Sequence, residues 1–160
     1  ADPAKTMLGD EQWRWLETQL QVPAQVRLIV SGIQVVTDGH GWERWGNFPL
    51  ERQRLYHLIA STAAKGVVFL SGDRHIGALY RETAGAPYPL YEMTSSGITH
   101  PWRDAAEAGP NRLGDLFTEP HYGTVEIDWE AQALQLLLKD GAGAARRSRR
   151  IPFNELKAGT

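Results

Sequence analysis

The chain has 160 residues, 42% of them hydrophobic and 22% charged, with a formal net charge of −2. That length suits one domain able to bury roughly 70% of its unfolded surface, and the near-balanced charge gives no electrostatic reason for nucleic acid or an acidic membrane as partner. There is no cysteine, which excludes disulfides, thiolate metal sites and cysteine nucleophiles, and no apolar stretch approaches the ~18 residues of a membrane span.

Residues 10–21 predict the first helix. Trp13, Leu16 and Leu20 recur at helical spacing, Gly9 or Asp10 stands at the capping position, and Pro23 ends it. Val26 to Val36 reads as a strand with a small-residue break at Ser31-Gly32. Residues 37–48 form a loop rich in Gly and Trp, with His40 and Glu43, and such loops carry function on a rigid scaffold. A second helix is predicted from Pro49 to about Ala64, with Leu55, Leu58 and Ile59 inward and Gly66 as its stop signal.

The next stretch is Val67-Val-Phe-Leu-Ser-Gly-Asp-Arg-His-Ile-Gly77. Its unbroken apolar run reads as a strand buried on both faces, and Gly72 offers a sharp turn at its end. Asp73 and His75 then stand where open α/β sheets place their ligands, just beyond a strand's carboxyl end. Arg74 between them could serve a phosphate. Read without context, the triplet is equally compatible with a turn carboxylate and a half-buried imidazole.

Ala78 to Glu82 and Leu90 to Thr94 are predicted strands, followed by a second rich loop, Ser95 to Trp102. Residues 103–120 are polar and irregular, with a short helix expected to dock through Leu113, Leu116 and Phe117. Tyr122 to Trp129 alternates, with Val125, Ile127 and Trp129 on one face, and pairs with Leu134 to Lys139 as a hairpin. The Arg-rich run Arg146 to Arg150 reads as a solvated basic strand; without aromatic interleaving it makes no case for nucleic acid.

Five segments, in register, resemble the PhoD-like alkaline phosphatases within the calcineurin-like metallophosphoesterases. They are Met7 to Leu16, Trp42 to Arg52, Phe69 to His75, Pro89 to His100 and Tyr122 to Trp129. The resemblance implies an α/β fold: part of a metallophosphoesterase-type β-sandwich flanked by helices, with a mixed sheet ending in an antiparallel hairpin. It implies hydrolysis of phosphate mono- or diesters by a metal-activated water, with two metal ions drawn from calcium, iron, manganese or zinc. The wider superfamily closes its motif series with Gly-His-x-His. Here Gly72-Asp73-Arg74-His75 puts a carboxylate first, as in the PhoD-like branch, and the ligand role passes to Asp73 and His75.

The amino-terminal ligand motifs of that family are absent. Residues 1–160 are therefore expected to be the carboxyl-terminal portion of a PhoD-like metallophosphatase domain, supplying only the last ligand motif and inactive alone. The expected partners are the missing amino-terminal half and a phosphoester substrate. The start without Met is compatible with processing or cleavage, and an exported location rests on the resemblance only. The alternative is a non-catalytic assembly module.

His40, Trp45 and Asn47 are candidates for a substrate-facing lid, with Trp45 as the pocket wall; packing of both tryptophans onto the sheet is the competing reading. His100 could line the site or stay structural. Gln34 and Ser31 occupy the strand where related enzymes place a further ligand His. Arg52 is expected to pair with Glu or a carbonyl at its helix start, and His57 and His121 to be structural.

Overall fold

The computed structural model describes residue 2 and residues 4–159. Helix α1 (Gly9–Gln21) precedes strand β1 (Arg27–Ser31), and helix α2 (Pro49–Ser61) crosses over to β2 (Val67–Ser71). Then come β3 (Gly77–Glu82), β4 (Leu90–Ser95), β5 (His121–Asp128), β6 (Ala133–Asp140) and β7 (Ala145–Pro152). The first sheet has the order β1-β2-β4-β3, and the second β5-β6-β7. β1, β2 and β4 are mutually parallel; β3 returns antiparallel to β4. The second sheet is antiparallel throughout, so the expected hairpin gains a third strand in the Arg-rich run. The chain is the mixed α/β arrangement the sequence implied.

β2 lies between β1 and β4, and its Val67, Val68 and Phe69 are wholly buried. The two sheets meet through specific contacts. Arg149 Nη2 donates to the Tyr91 hydroxyl at 3.1 Å, and that hydroxyl donates to Glu155 at 2.7 Å. A side chain at Gly77 would stand 3.1 Å from Leu138, and one at Gly123 2.8 Å from Met93. Glycine at these positions allows the close approach.

The helices are joined through one carboxylate. Glu51 of α2 accepts from the Met7 N–H at 2.8 Å, the Trp13 indole N–H at 2.9 Å and the Thr6 hydroxyl at 3.0 Å. Neither Gly9 nor Asp10 caps α1 with a side chain; Thr6 Oγ1 accepts from the Gly9 N–H at 2.9 Å instead. The C-terminal carbonyls of α1, unsatisfied within the helix, meet Arg27, which also reaches Ala24 and Lys65.

Three sequence expectations are corrected. The strand from Val26 stops at Ser31, because the Val35 and Val36 N–H groups bond the buried Glu92 carboxylate, at 2.9 and 2.7 Å, rather than a neighbouring strand. Helix α2 ends at Ser61, and Ala63 (φ 51°) takes the left-handed position after it; Gly66 (φ 77°) instead lets the chain pass tightly over Gln25 into β2. Residues 103–120 form no helix. They run along the outer edge of β3, with paired Gly77 and Phe117 main-chain bonds of 2.7 Å and the Leu113 N–H on the Leu79 carbonyl at 2.8 Å. That edge is covered, whereas the outer edge of β1 has no strand partner among the described residues, and Leu28 and Val30 are exposed there.

Candidate metal and phosphate site

Three parallel strands finish at one edge of the sheet. Ser31 pairs with Ser71, and Ser71 with Thr94. The loops that follow, residues 32–48, 72–76 and 96–102, therefore open on the same side, at the strands' carboxyl ends. Every candidate site residue lies on one of these loops.

In the middle loop Asp73 (φ 69°) and His75 (φ 55°) are both left-handed. This alternation leaves Asp73 and His75 exposed while Arg74 between them is buried. Gly72 does not make the turn, as its φ is not positive. A left-handed backbone costs a non-glycine residue about 1–2 kcal/mol, and it persists where the surroundings over-determine it. Here the His75 N–H donates to the Ser96 hydroxyl at 2.9 Å, the Trp102 N–H donates to the His75 carbonyl at 2.7 Å, and the Arg74 N–H donates to the Gly72 carbonyl at 2.8 Å.

His75 Nδ1 lies 2.7 Å from the His100 main-chain carbonyl. A carbonyl only accepts, so Nδ1 carries the proton and Nε2 keeps its lone pair. That is the tautomer and the outer partner a metal-ligating imidazole requires. His100 thus serves the loop through its backbone, while its own ring is exposed and meets Thr99 Oγ1 at 3.0 Å.

Arg74 sits between two indoles. Its Cζ is 5.1 Å from the ring centroid of Trp102 and 5.9 Å from that of Trp42, and the two rings meet edge to face at 6.1 Å. Trp42 is therefore the aromatic wall. Trp45, expected in that role, is buried in the core: it packs edge to face on Trp13 at 6.3 Å and donates from Nε1 to Ser31 Oγ at 3.1 Å. The two tryptophans stand three positions apart, Trp45 opening a 3₁₀ turn at Trp45–Asn47 and Trp42 lying in the loop before it. Composition alone did not tell which faced inward.

His40 holds the first loop instead of facing outward. Its Nε2 lies 2.7 Å from Gln34 Oε1, and its Nδ1 accepts from the Trp42 N–H at 3.1 Å. The direction of the chain is fixed further along. The Tyr80 hydroxyl donates to Glu107 at 2.5 Å, so it accepts from Gln34 Nε2 at 2.9 Å, and Gln34 Oε1 faces a His40 Nε2–H. Burial, helped by the positive charges of Arg74 and Arg44 and opposed by Asp38, pulls the His40 pKa down to about 4. Asn47 Nδ2 donates to the Trp42 carbonyl at 3.1 Å. His40 and Asn47 are thus both clamps on Trp42. Arg52 makes a two-pronged bond to Asp38, at 3.1 and 2.8 Å, and not to its own helix start.

A family model described as PhoD-like phosphatase matches residues 1–112. The chain belongs to the PhoD-like phosphatase family. A solved structure of PhoD superposes with a TM-score of 0.77 at 18% identity, which concerns the fold. The match covers 99% of this chain and 37% of that one, so the PhoD-like chain described here spans well under half the length of the structure it resembles. No curated protein matches it.

Among the described residues of this PhoD-like chain, no group of three or more His, Asp or Glu side chains could hold a metal ion. What it offers is a pair on one loop, a hard carboxylate at Asp73 and a neutral imidazole at His75. These fit two positions of a larger donor set. Sequence reasoning missed Trp42, Trp102 and Ser96 as parts of the site. Only the parallel pairing of β2 with β4 brings the last two beside His75.

Proposed function

We propose that this chain is the carboxyl-terminal portion of a metal-dependent phosphoester hydrolase, with Asp73 and His75 as two of its metal donors. The observation that carries this reading is the His75 Nδ1 bond to the His100 carbonyl, which leaves Nε2 free beside an exposed Asp73 at the end of the central parallel strand. Two calcium, iron, manganese or zinc ions would fit a donor set of this kind. When bound, such ions would supply Lewis acidity toward phosphoryl oxygen and lower the pKa of water.

The chain's own residues orient the donors and the phosphate contact. His100 keeps the His75 ring in the ligating tautomer. The left-handed turns at Asp73 and His75 present these two outward and turn Arg74 in against Trp42 and Trp102, where its guanidinium would take a phosphate oxygen. His40 and Asn47 hold Trp42 in place over Arg74. The remaining donors would come from the amino-terminal half of the domain.

Metal binding at the loop tests this reading. Manganese titrated into the chain should broaden amide resonances of residues 72–76 and 96–102, and Asp73→Ala and His75→Ala should each remove the effect. Broadening confined to other regions, or indifferent to both substitutions, overturns it. The rival reading, a non-catalytic assembly module, draws on the open edge of β1, where Val30 is 78% exposed. That reading expects no metal response at the loop.

A further inference from the structure

Resting on that reading of the site, we propose that Trp42, Arg74 and Trp102 form a receptor for phosphoesters whose ester group is an aromatic ring, so that aryl phosphates are preferred over inorganic phosphate.

Arg74 is 6% exposed, yet it has no ion-pair partner among the described residues. Its Nε is buried without a hydrogen-bond partner. A buried, uncompensated cation is among the costliest arrangements a fold can hold. Two indole faces compensate only in part, so the geometry leaves a place for an anion. Asp38, in the first loop, is already engaged by Arg52 and Arg44. Burial does most to depress the His40 pKa, and the positive charges of Arg74 and Arg44 add to it. A guanidinium meets a phosphate with two parallel N–H bonds. With Nε enclosed, the two Nη nitrogens are the donors left to do so.

The rim of the site supplies the aromatic preference. Trp42 is 55% exposed and Trp102 38% exposed, although both also pack on Arg74. Each ring offers solvent the surface that Arg74 does not use. Both are held in advance of any ligand. The main chain of Trp42 is held by His40 and Asn47 and that of Trp102 by His75, and the two rings pack edge to face on each other. A preformed indole surface favours a planar apolar group at little ordering cost. Inorganic phosphate would meet only the guanidinium.

The test uses the metal-free chain, in chelator, so that it does not depend on Asp73 and His75. Phenyl phosphate and inorganic phosphate are titrated separately while the tryptophan indole N–H resonances are followed. Phenyl phosphate should bind about tenfold tighter, equivalent to about 1.4 kcal/mol. Trp102→Leu, at a partly exposed position, should bring the two ligands to near parity. Arg74→Met should abolish both, and Arg74→Lys should weaken both, by keeping the charge without the fork. Equal affinities, or a preference that survives Trp102→Leu, overturn the proposal. So does absence of binding by either ligand, which would assign the counter-charge of Arg74 to another polypeptide segment. A loop that binds manganese but not phenyl phosphate leaves the metal reading standing and removes this one.

Discussion

His75 Nδ1 and the main-chain carbonyl of His100 lie 2.7 Å apart, and this contact locks the loop after β2 to the loop after β4. Two further bonds, from the His75 N–H to Ser96 and from the Trp102 N–H to the His75 carbonyl, complete the lock. All three follow from one topological fact. β2 and β4 are parallel neighbours, so their carboxyl ends and the loops beyond them are side by side.

Ser96→Ala should weaken metal binding at the loop without touching a donor. The variant loses the acceptor for the His75 N–H, and outer-partner changes of this kind cost about 10–100-fold in metal affinity. Manganese titration of the wild-type chain and the variant measures it. An unchanged affinity would mean that the His100 carbonyl alone orients the ring.

Strain at Asp73 can be separated from its chemistry. At φ 69° a glycine is unstrained, so Asp73→Gly should stabilise the fold by about 0.5–1 kcal/mol, the relief of left-handed strain less the added freedom of the unfolded chain. Metal binding should be lost in the same variant. Ala63→Gly, at φ 51° after α2, is the control; it should gain similarly with metal binding intact. Urea melts read both. A destabilised Asp73→Gly would show that the carboxylate contributes contacts that outweigh its backbone strain.

Much of the fold was legible because its signals are local. The apolar run Val67 to Leu70 could only be a central strand, and Trp13, Leu16 and Leu20 could only be one face of a helix. The position of Asp73 and His75 just beyond the central strand was legible too. What stayed hidden depends on partners far apart in sequence. Glu92 stops β1 early from 56 positions away, by taking the Val36 N–H. Residues 111–117 read as a short docking helix from their apolar spacing, until the edge of β3 needs covering. Trp42 and Trp45 are the same residue type three positions apart, and only the 3₁₀ turn that starts at Trp45 sends one into the core and leaves the other in the loop.

Acid should loosen the loop that carries Trp42. His40 titrates near 6.5 when unfolded and about 4 in the fold, so between these values the unfolded chain binds a proton that the native chain does not. The stability His40 contributes is therefore fully present above 6.5 and declines as pH falls toward 4. His40→Gln should flatten this part of the stability profile, measured by urea melts across the window. The folded wild-type chain should also show a Trp42 fluorescence change near pH 4, where its own His40 takes up the proton. Parallel profiles for the two proteins would remove His40 as the titrating group.

Glu92 should act in the opposite direction. Its carboxyl is wholly buried, and burial raises its pKa above the usual value despite hydrogen bonds from Ser71, Val36 and Val35. For an acid raised in this way, the native chain holds a proton that the unfolded chain has released. Its stabilising contribution is then fully present below the unfolded pKa and is lost as pH rises through the folded one. Glu92→Gln removes the titration, but its amide NH₂ cannot accept from one of the two N–H groups at Val35 and Val36. The variant should cost about 1–3 kcal/mol at low pH, and the gap to wild type should narrow as pH rises above the ordinary carboxyl range. Denaturation at several pH values gives the difference directly. A gap that widens with pH would mean that the two backbone N–H bonds outweigh desolvation and hold Glu92 ionised in the core.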